Sequence, residues 1–522
     1  MDFFNYINSI FNNFVPARIF PSIIAVLLIF FFIYYFKALR PEQGTVEWMT
    51  MRMQVKNLTF FNQRYPMTKT DIIPLCLITL FFLSLAFINL GDTISVDVLR
   101  EVEESSFDRT HLNNMYFDEI YFTRTAVEHI ENVNPYETTH PPLGKEIIAV
   151  SILLFGMSPF GWRLLGALFG VLILIVMYVF LKNLFGKTIV SICGTLLFGF
   201  DFMRFVQTRI STIDTYVVFF ILLSFFFMYR YVTINADAPF RKSLLPLAMS
   251  GVFFGLICTV KWVGLYAGAG LLVIYIIHLF QLGFNYSNSK RRDFGEYLAI
   301  TLFSSIIFFV VIPAVIYYLT YIPYGLARGM TLRGGMLWDP DFVQLVWNNQ
   351  LLMYSYHSRL VAEHPFSSVW WQWILNIRPV LYVNNYSGDL RATFGVFGNP
   401  VVWWGGFLAI IAMIVRLFRH RDGKALFILI GFLSQLLPWI AVERILFAYH
   451  YFPSTLFLIL STAHVFNSIL ERNKNGAGKL AVYAYTIVSG VVFAMFYPML
   501  AGFYLPDRYY DIFIKWLPTW PF

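Results

Sequence analysis

The sequence predicts an all-α polytopic membrane protein with about 12 transmembrane helices and two large outer loops. Three observations lead there. The 522 residues are 58% hydrophobic and only 13% charged, against roughly a quarter charged in soluble domains. The apolar residues gather in segments about 20 residues long, the length a helix needs to cross the hydrocarbon core. The basic residues recur in alternate connections between those segments. The formal net charge of +8 thus sits in short loops beside apolar runs, which fits membrane orientation and not a nucleic-acid surface.

The predicted spans cover 19–36, 73–90, 160–182, 187–204, 212–232, 244–260, 263–281, 298–320, 401–418, 424–441, 446–470 and 480–503. Segment 146–157 is apolar but too short to cross, and reads as a helix lying along the membrane surface or dipping into it. With these spans, one side collects Lys37, Arg40, Arg52, Lys56, Arg64 and Lys69, then Lys182, Lys187, Arg241 and Lys242, then Lys290, Arg291 and Arg292. The same side takes Arg416, Arg419, Arg421, Lys424, Arg472, Lys474 and Lys479. The positive-inside tendency makes it cytoplasmic. A single miscounted helix breaks this alternation.

The chain divides accordingly. Residues 1–72 hold an N-terminal span and a cytoplasmic loop, and 73–320 form a transmembrane core carrying the outer loop 91–159. Residues 321–400 are a long outer loop, and 401–522 are a four-helix region with an outer tail. Loop 91–159 begins with an acidic run, Asp97 to Asp108. Loop 321–400 is rich in tryptophan, including Trp338, Trp347, Trp370, Trp371 and Trp373. Tryptophan favours the water–lipid boundary, so this loop is expected to fold back onto the membrane surface. The cysteines, Cys76, Cys193 and Cys258, lie in apolar runs with no paired spacing, and read as small buried hydrophobes. Met1 to Val15 lacks the basic start of a cleavable signal.

Chemistry is expected in the polar loop 91–159. Asp118-Glu119 lies among Tyr116, Phe117, Ile120, Tyr121 and Phe122, which suggests a packed position and not a solvated acidic stretch. A carboxylate positioned there suits a general base, or the pair could bind a divalent cation. His140-Pro141-Pro142-Leu143-Gly144-Lys145 follows: the prolines fix an extended turn and Gly144 permits close backbone approach, so His140 and Lys145 are held rigidly. A rigid surface loop with Lys145 as an interfacial anchor explains the same residues. Arg209, Lys261 and Arg444 fall on the outer side, against the positive-inside trend. They call for partners, either a lipid phosphate or structural pairing with Asp201, Asp214 or Glu443. His357 and His450 are weaker candidates, and no zinc spacing, Walker loop or dinucleotide fingerprint is present, so no cofactor is firmly indicated.

Taken together, the motifs resemble the protein O-mannosyltransferase family. The resemblance rests on Tyr116-Phe117-Asp118-Glu119, Thr139-His140-Pro141-Pro142-Leu143-Gly144-Lys145 and Pro159-Phe160-Gly161-Trp162-Arg163-Leu164. It continues through Gln207-Thr208-Arg209-Ile210-Ser211-Thr212-Ile213-Asp214-Thr215, Val260-Lys261-Trp262-Val263-Gly264-Leu265 and the run Arg444 to Pro453. It implies the type C glycosyltransferase membrane fold and a donor sugar, usually mannose, on a long isoprenoid phosphate. It implies a Ser or Thr hydroxyl of an exported protein as acceptor, with inversion of the anomeric centre. Asp118 then corresponds to the catalytic base, with Glu119 ordering the acceptor and the loop, and the His140 loop shapes the acceptor side. Arg209 corresponds to a residue at the donor phosphate. Lys261 and Arg444 match recurrent positions, and assigning them to the phosphate is our own inference. The 321–400 loop is too short for the β-trefoil of yeast-type members, and the 19–36 span is extra; both features look like the bacterial short form, with the site on the extracytoplasmic face of the cell membrane. A glycosyltransferase acting on a lipid or cell-wall glycan fits the same residues. A transporter fits less well, because the ionisable residues sit at helix ends and the two halves show no repeat.

Overall fold

The computed structural model describes residues 16–38, 64–94, 111, 114–234, 241–289, 294–473 and 476–522. The acidic run Asp97 to Asp108 and the loop cations Arg40, Arg52, Lys56, Lys290, Arg291, Arg292 and Lys474 lie outside them. In chain order the main helices are α1 (Phe20–Ala38), α2 (Lys69–Phe87), α3 (Glu119–Ile130), α4 (Leu143–Phe155) and α5 (Pro159–Phe185). Then come α6 (Thr188–Gly199), α7 (Phe202–Gln207), α8 (Asp214–Val232), α9 (Arg241–Val260) and α10 (Gly264–Ser289). A long helical run follows as α11 (Phe294–Ile306), a π turn, α12 (Ile312–Leu319) and α13 (Ile322–Ala327). After α14 (Pro340–Arg359) and α15 (Trp370–Ile374), the last four are α16 (Pro400–His420), α17 (Gly423–Leu436), α18 (Phe452–Arg472) and α19 (Ala477–Leu500).

Local chemistry sets these boundaries. Ser158 caps α5 by accepting from Gly161 N, Pro159 opens the helix, and Gly186 closes it at φ +73°. Among the described residues, 11 helical segments are long and apolar enough to cross a membrane. Eleven of the expected spans find a counterpart among them, and 187–204 does not. That segment breaks at Asp201, whose carboxylate accepts from Arg204 N and Trp403 Nε1 and so starts α7 instead of continuing α6. At about 1.5 Å per residue, α6 and α7 together still span roughly 30 Å. Their two ends meet opposite ends of the bundle: Lys187 reaches Glu471 at the end of α18, and Arg209 reaches the carbonyls at the ends of α2 and α19. The broken pair therefore keeps the alternation of loops intact.

Charges collect at both ends. At one end, Asp71 at the start of α2 pairs with Lys182 and accepts from Thr188, while Asp422 binds Arg416 and His464. The other end carries α3, α4, α14 and a small sheet. The centre is α18, nearly all of whose apolar window is buried, whereas the run Gly295–Ala327 is the least buried span and presents its apolar side outward. Cys76 also faces outward, contrary to the expectation of a buried thiol, while Cys193 is buried.

The sheet was not foreseen by the sequence reading, which contains no strand. β1 (Val380–Ser387) and β2 (Leu390–Val396) pair antiparallel, with Ser387 opposite Leu390 across a tight turn that Gly388 permits at φ +59°. The short β3 (Leu505–Pro506) of the tail adds to β2. Most of β2 is buried, and Phe397 beyond it packs on Trp520 and Phe522, so the C-terminal tail is part of the core. Of the tryptophans expected at the interface, Trp338, Trp347 and Trp371 are exposed, but Trp373 is buried and stacks on His450.

Candidate active site

Asp118 and Glu119 are adjacent in sequence and opposite in direction. Asp118 is the N-cap of α3, and it lines a cavity of about 440 Å³ at the loop end of the bundle. Glu119 turns into the core and is fully buried. Arg163 grips it with two bonds, Nε to Oε1 and Nη2 to Oε2, each 2.8 Å. Ser211 N donates to Oε1 at 2.7 Å and Tyr116 N to Oε2 at 2.9 Å. A carboxylate so completely used cannot share a divalent cation with its neighbour, and among the described residues no cluster of metal-ligating side chains occurs. The paired-carboxylate cation site considered from the sequence is therefore not formed.

The divergence has a local cause. Phe117 sits at φ +49°, a conformation that costs free energy for any residue with a Cβ. Its ring is held by stacking on Tyr382 at 4.5 Å, and by edge contacts with Phe447 and Tyr449. Tyr382 in turn donates to Gln207 Oε1 at 2.8 Å. The aromatic packing thus pins the backbone twist that points Asp118 at the cavity.

The other wall comes from the His140 loop. Its organiser is a residue that the sequence reading passed over, Glu137. Lys145 Nζ donates to Glu137 Oε2 at 2.7 Å and to the carbonyl of His140 at 2.7 Å. Thr139 N donates to Glu137 Oε1 at 2.8 Å, and His140 Nδ1 lies 3.1 Å from the same oxygen. Burial raises the Glu137 pKa, but the Lys145 charge and the His140 hydrogen bond outweigh it and hold the carboxyl well below the usual range. Burial lowers the His140 pKa, with Glu137 opposing. Lys145 is thus a staple, not a surface anchor. Gly144 is needed for packing: a Cβ there meets Ile213 at 2.5 Å. Pro142 caps α4, and Pro141 lines a second, smaller cavity.

Lys261 and Arg444 line the same cavity as Asp118. Lys261 Nζ pairs with Asp214 at 2.9 Å, the structural pairing weighed from the sequence. Arg444 is half-buried, and its one hydrogen bond goes to the carbonyl of Ile445 at 3.4 Å, so among the described residues it has no carboxylate partner. His357 and His450 complete the wall. His357 Nε2 bonds the carbonyl of Thr139 at 2.8 Å, and burial, then the nearby His140, lower its pKa to about 4. A second groove of about 220 Å³ shares Thr139, His140, Lys261, His357 and Arg444 with this cavity and is walled beyond them by Trp262, Leu265, Tyr266, Trp439 and Val442.

Arg209 is not in this assembly. Its guanidinium donates to the carbonyls of Ala86, Ile88 and Leu500, at the C-terminal ends of α2 and α19. It lines a separate cavity with Arg163 and Tyr116. A cation among the last carbonyls of two helices is satisfied by their dipoles, which accounts for its place at this end of the bundle without a ligand. The structure thus brings together Asp118, His140, Lys261, Arg444, His357 and His450, and sets Glu119 and Arg209 behind them.

Residues 154–324 match the family model of dolichyl-phosphate-mannose-protein mannosyltransferase, and residues 342–520 match that of the C-terminal four TMM region of protein-O-mannosyltransferase. The polyprenol-phosphate-mannose–protein mannosyltransferase of Corynebacterium glutamicum is 26% identical over 73% of this chain and 81% of its own. Its Mycobacterium tuberculosis counterpart is 25% identical over 77% of this chain and 86% of its own. In fold, the chain is similar to a protein O-mannosyltransferase complex of S. cerevisiae bound to the sugar donor, with a TM-score of 0.74, 14% identity, and coverage of 90% of this chain and 95% of that one. ArnT from Cupriavidus metallidurans bound to undecaprenyl phosphate gives 0.50, with 15% identity over 86% of this chain and 76% of that one.

Proposed function

The chain belongs to the protein O-mannosyltransferase family of membrane glycosyltransferases, and from that premise we propose that it transfers mannose from a polyprenyl-phosphate carrier to Ser or Thr hydroxyls of exported polypeptides. The observation that carries this reading is one cavity that a carboxylate and two cations line together, and that shares a wall with an apolar groove. Those are the parts a lipid-phosphate-sugar requires. Lys261 and Arg444 bind the phosphate, the isoprenoid chain leaves through the groove at Trp262, Leu265 and Trp439, and the sugar lies beside Asp118.

The step then balances without ATP. Asp118 takes the proton of the acceptor hydroxyl as its oxygen attacks the anomeric carbon. The bond from that carbon to the phosphate oxygen breaks on the opposite side, so the configuration inverts. The polyprenyl phosphate leaves as an anion, and Lys261 and Arg444 stabilise its growing charge. A phosphate leaving group needs no strong general acid, which suits the neutral His140 and His357 whose pKa values burial depresses. The acceptor approaches from the loop end, which the positive-inside tendency assigns to the extracytoplasmic face.

The test is transfer from polyprenyl-phosphate mannose to a Ser/Thr peptide by the purified chain, comparing wild type with Asp118→Asn. Undiminished transfer by the variant removes Asp118 as the base, and absence of transfer to any peptide by wild type removes the protein acceptor.

A further inference from the structure

We propose that α14 is seated in the lipid headgroup region and acts from there as a clamp on the loop that carries His140. The helix has three distinct faces. Phe342, Asn349 and Met353 are buried against the protein. Val343, Trp347, Leu351 and Tyr354 are 51%, 63%, 52% and 67% exposed, and at 3.6 residues per turn they fall within about 80° of arc. Gln344, Asn348 and the half-buried Ser355 occupy the next sector, with Asp341 and Arg359 beside them and Leu352 and Tyr356 beyond, so the stripe, interrupted by Ser358 near the end of the helix, borders a polar sector on the exposed surface. A helix exposed only to water has no reason to separate them; a helix lying at a bilayer surface does.

The position of α14 points the apolar stripe at lipid. The helix rests on the outer end of the least buried span, whose outward side carries Phe303, Val310 and Val315. Tyr321, at the end of that span, donates to Asn349 Oδ1 at 2.7 Å. Tyr317, one turn deeper, donates to Gln350 Oε1 at 2.6 Å, and Gln350 Nε2 donates in turn to the Tyr321 hydroxyl at 2.9 Å, so Gln350 is the residue that reaches the deeper turn as well. Gln350 lies on the edge of the buried face that adjoins Val343 and Tyr354. The stripe therefore continues from the deeper side of the helix, and the lipid-facing surface of the span runs on into it. Trp338, just before the helix, is 89% exposed and adds an anchor of the type that favours this depth.

The buried face reaches the reaction cavity. Asn349 Nδ2 donates to the carbonyl of Thr138 at 2.9 Å, and His357 Nε2 bonds that of Thr139 at 2.8 Å. These are the two residues before His140. Withdrawal of α14 from the bilayer removes both contacts, so the cavity wall is complete only when the helix is seated. This placement stands whether or not the chain transfers a sugar.

Spin labels on single cysteines test it, in the full chain with Cys76, Cys193 and Cys258 replaced by alanine and reconstituted in phosphatidylcholine vesicles. Labels at positions 343, 347, 351 and 354 are expected to be open to dissolved oxygen and closed to a water-soluble nickel chelate, with positions 344, 348 and 355 the reverse. Equal nickel access at both sets overturns the proposal. So does spin–spin broadening along the stripe, which assigns it to a second copy of the chain. The clamp is read by amide exchange. In vesicles, the double variant Trp347→Asp, Leu351→Asp is expected to exchange about tenfold faster at residues 138–140, with the bundle helices still protected. Unchanged exchange at those amides, in a variant whose labels show the helix lifted, overturns the coupling.

Discussion

Two charge clusters lie side by side at the loop end of the bundle, and they use their charges in opposite ways. Around Glu119, the carboxylate is filled by Arg163, Ser211 N and Tyr116 N, and Arg209 next to it is occupied by three helix-end carbonyls. Around Asp118, the cations keep capacity: among the described residues Arg444 makes a long bond to the Ile445 carbonyl and Lys261 pairs with one carboxylate. The first cluster is a knot that fixes backbone positions. Both line cavities, of about 580 Å³ and 440 Å³, so volume does not separate them, and what sets the second apart is the hydrogen-bonding capacity its cations keep. The comparison teaches that a charge at the loop end of the bundle marks a site only if the protein has not already spent its hydrogen-bonding groups.

Removing the cavity's carboxylate tests that distinction most severely. Asp118→Asn is expected to lower kcat by about 100- to 10,000-fold, the weight of a positioned general base. The melting temperature and the KM for the donor should hold, because asparagine keeps the size of the side chain and an accepting oxygen at the N-cap of α3. A variant that loses its fold along with its rate puts Asp118 in the knot and erases the contrast.

The knot should fail in the other currency. Arg163→Met strands a buried carboxylate, which costs about 3–5 kcal/mol. Thermal unfolding in detergent is the measurement, with a large fall in Tm expected and activity lost only in proportion to folded protein. If the variant melts like wild type but is inactive, Arg163 and Glu119 belong to the reaction and not to the scaffold.

Next come the two arginines that look equivalent in sequence. Arg444→Ala should raise the KM for a polyprenyl-phosphate sugar by about 10- to 100-fold, the range of a charged hydrogen bond, with Tm little changed. Arg209→Ala should lower Tm and leave that KM near wild type. The reverse pattern moves the phosphate to the Arg209 cavity.

That pair also shows what was legible beforehand. The spans could be read because apolar length and alternating basic loops are properties of single segments, and 11 of them stand as helices. Lys261 and Arg444 could be named because charge is costly near lipid and therefore conspicuous, Asp118 because it is a carboxylate set among aromatic residues, and His140 because two prolines fix its loop. Direction could not be read. Nothing in the adjacent letters of Asp118-Glu119 says that Phe117 takes φ +49° and sends the two carboxylates apart. Arg209 was expected at the donor phosphate from its expected outer position and from the family resemblance, and nothing in its sequence says that helix ends from residues 86–88 and 500 approach its guanidinium. The break at Asp201 depends on Trp403, some two hundred residues later. The hairpin at 380–396 was hidden in a loop judged by its tryptophans. Glu137 was overlooked because one glutamate in a polar loop is ordinary; its spacing of three to His140 and eight to Lys145 was the available signal.

Glu137 sits between the two clusters in kind, since it is fully used like Glu119 yet holds the wall that Asp118 faces. Its folded-state pKa lies below the ordinary value of 4.5, with Lys145 and His140 overcoming burial. The ionised form therefore favours the folded state. That contribution is complete above the unfolded value, and it is lost as pH falls from there towards the folded value. Wild type should keep a level Tm from pH 7 to about 5, then lose stability steadily on further acidification. Glu137→Gln cannot titrate, so its Tm should start lower at pH 7 and fall less steeply below about 4.5, the two curves converging. This is the smallest effect of the series, because it appears as a change of slope and leaves the neutral-pH fold in place. Curves that stay parallel down to pH 3 mean that the carboxyl titrates alike folded and unfolded, in which case Lys145 does not hold the loop through it, and the His140 wall depends on the contacts from α14 alone.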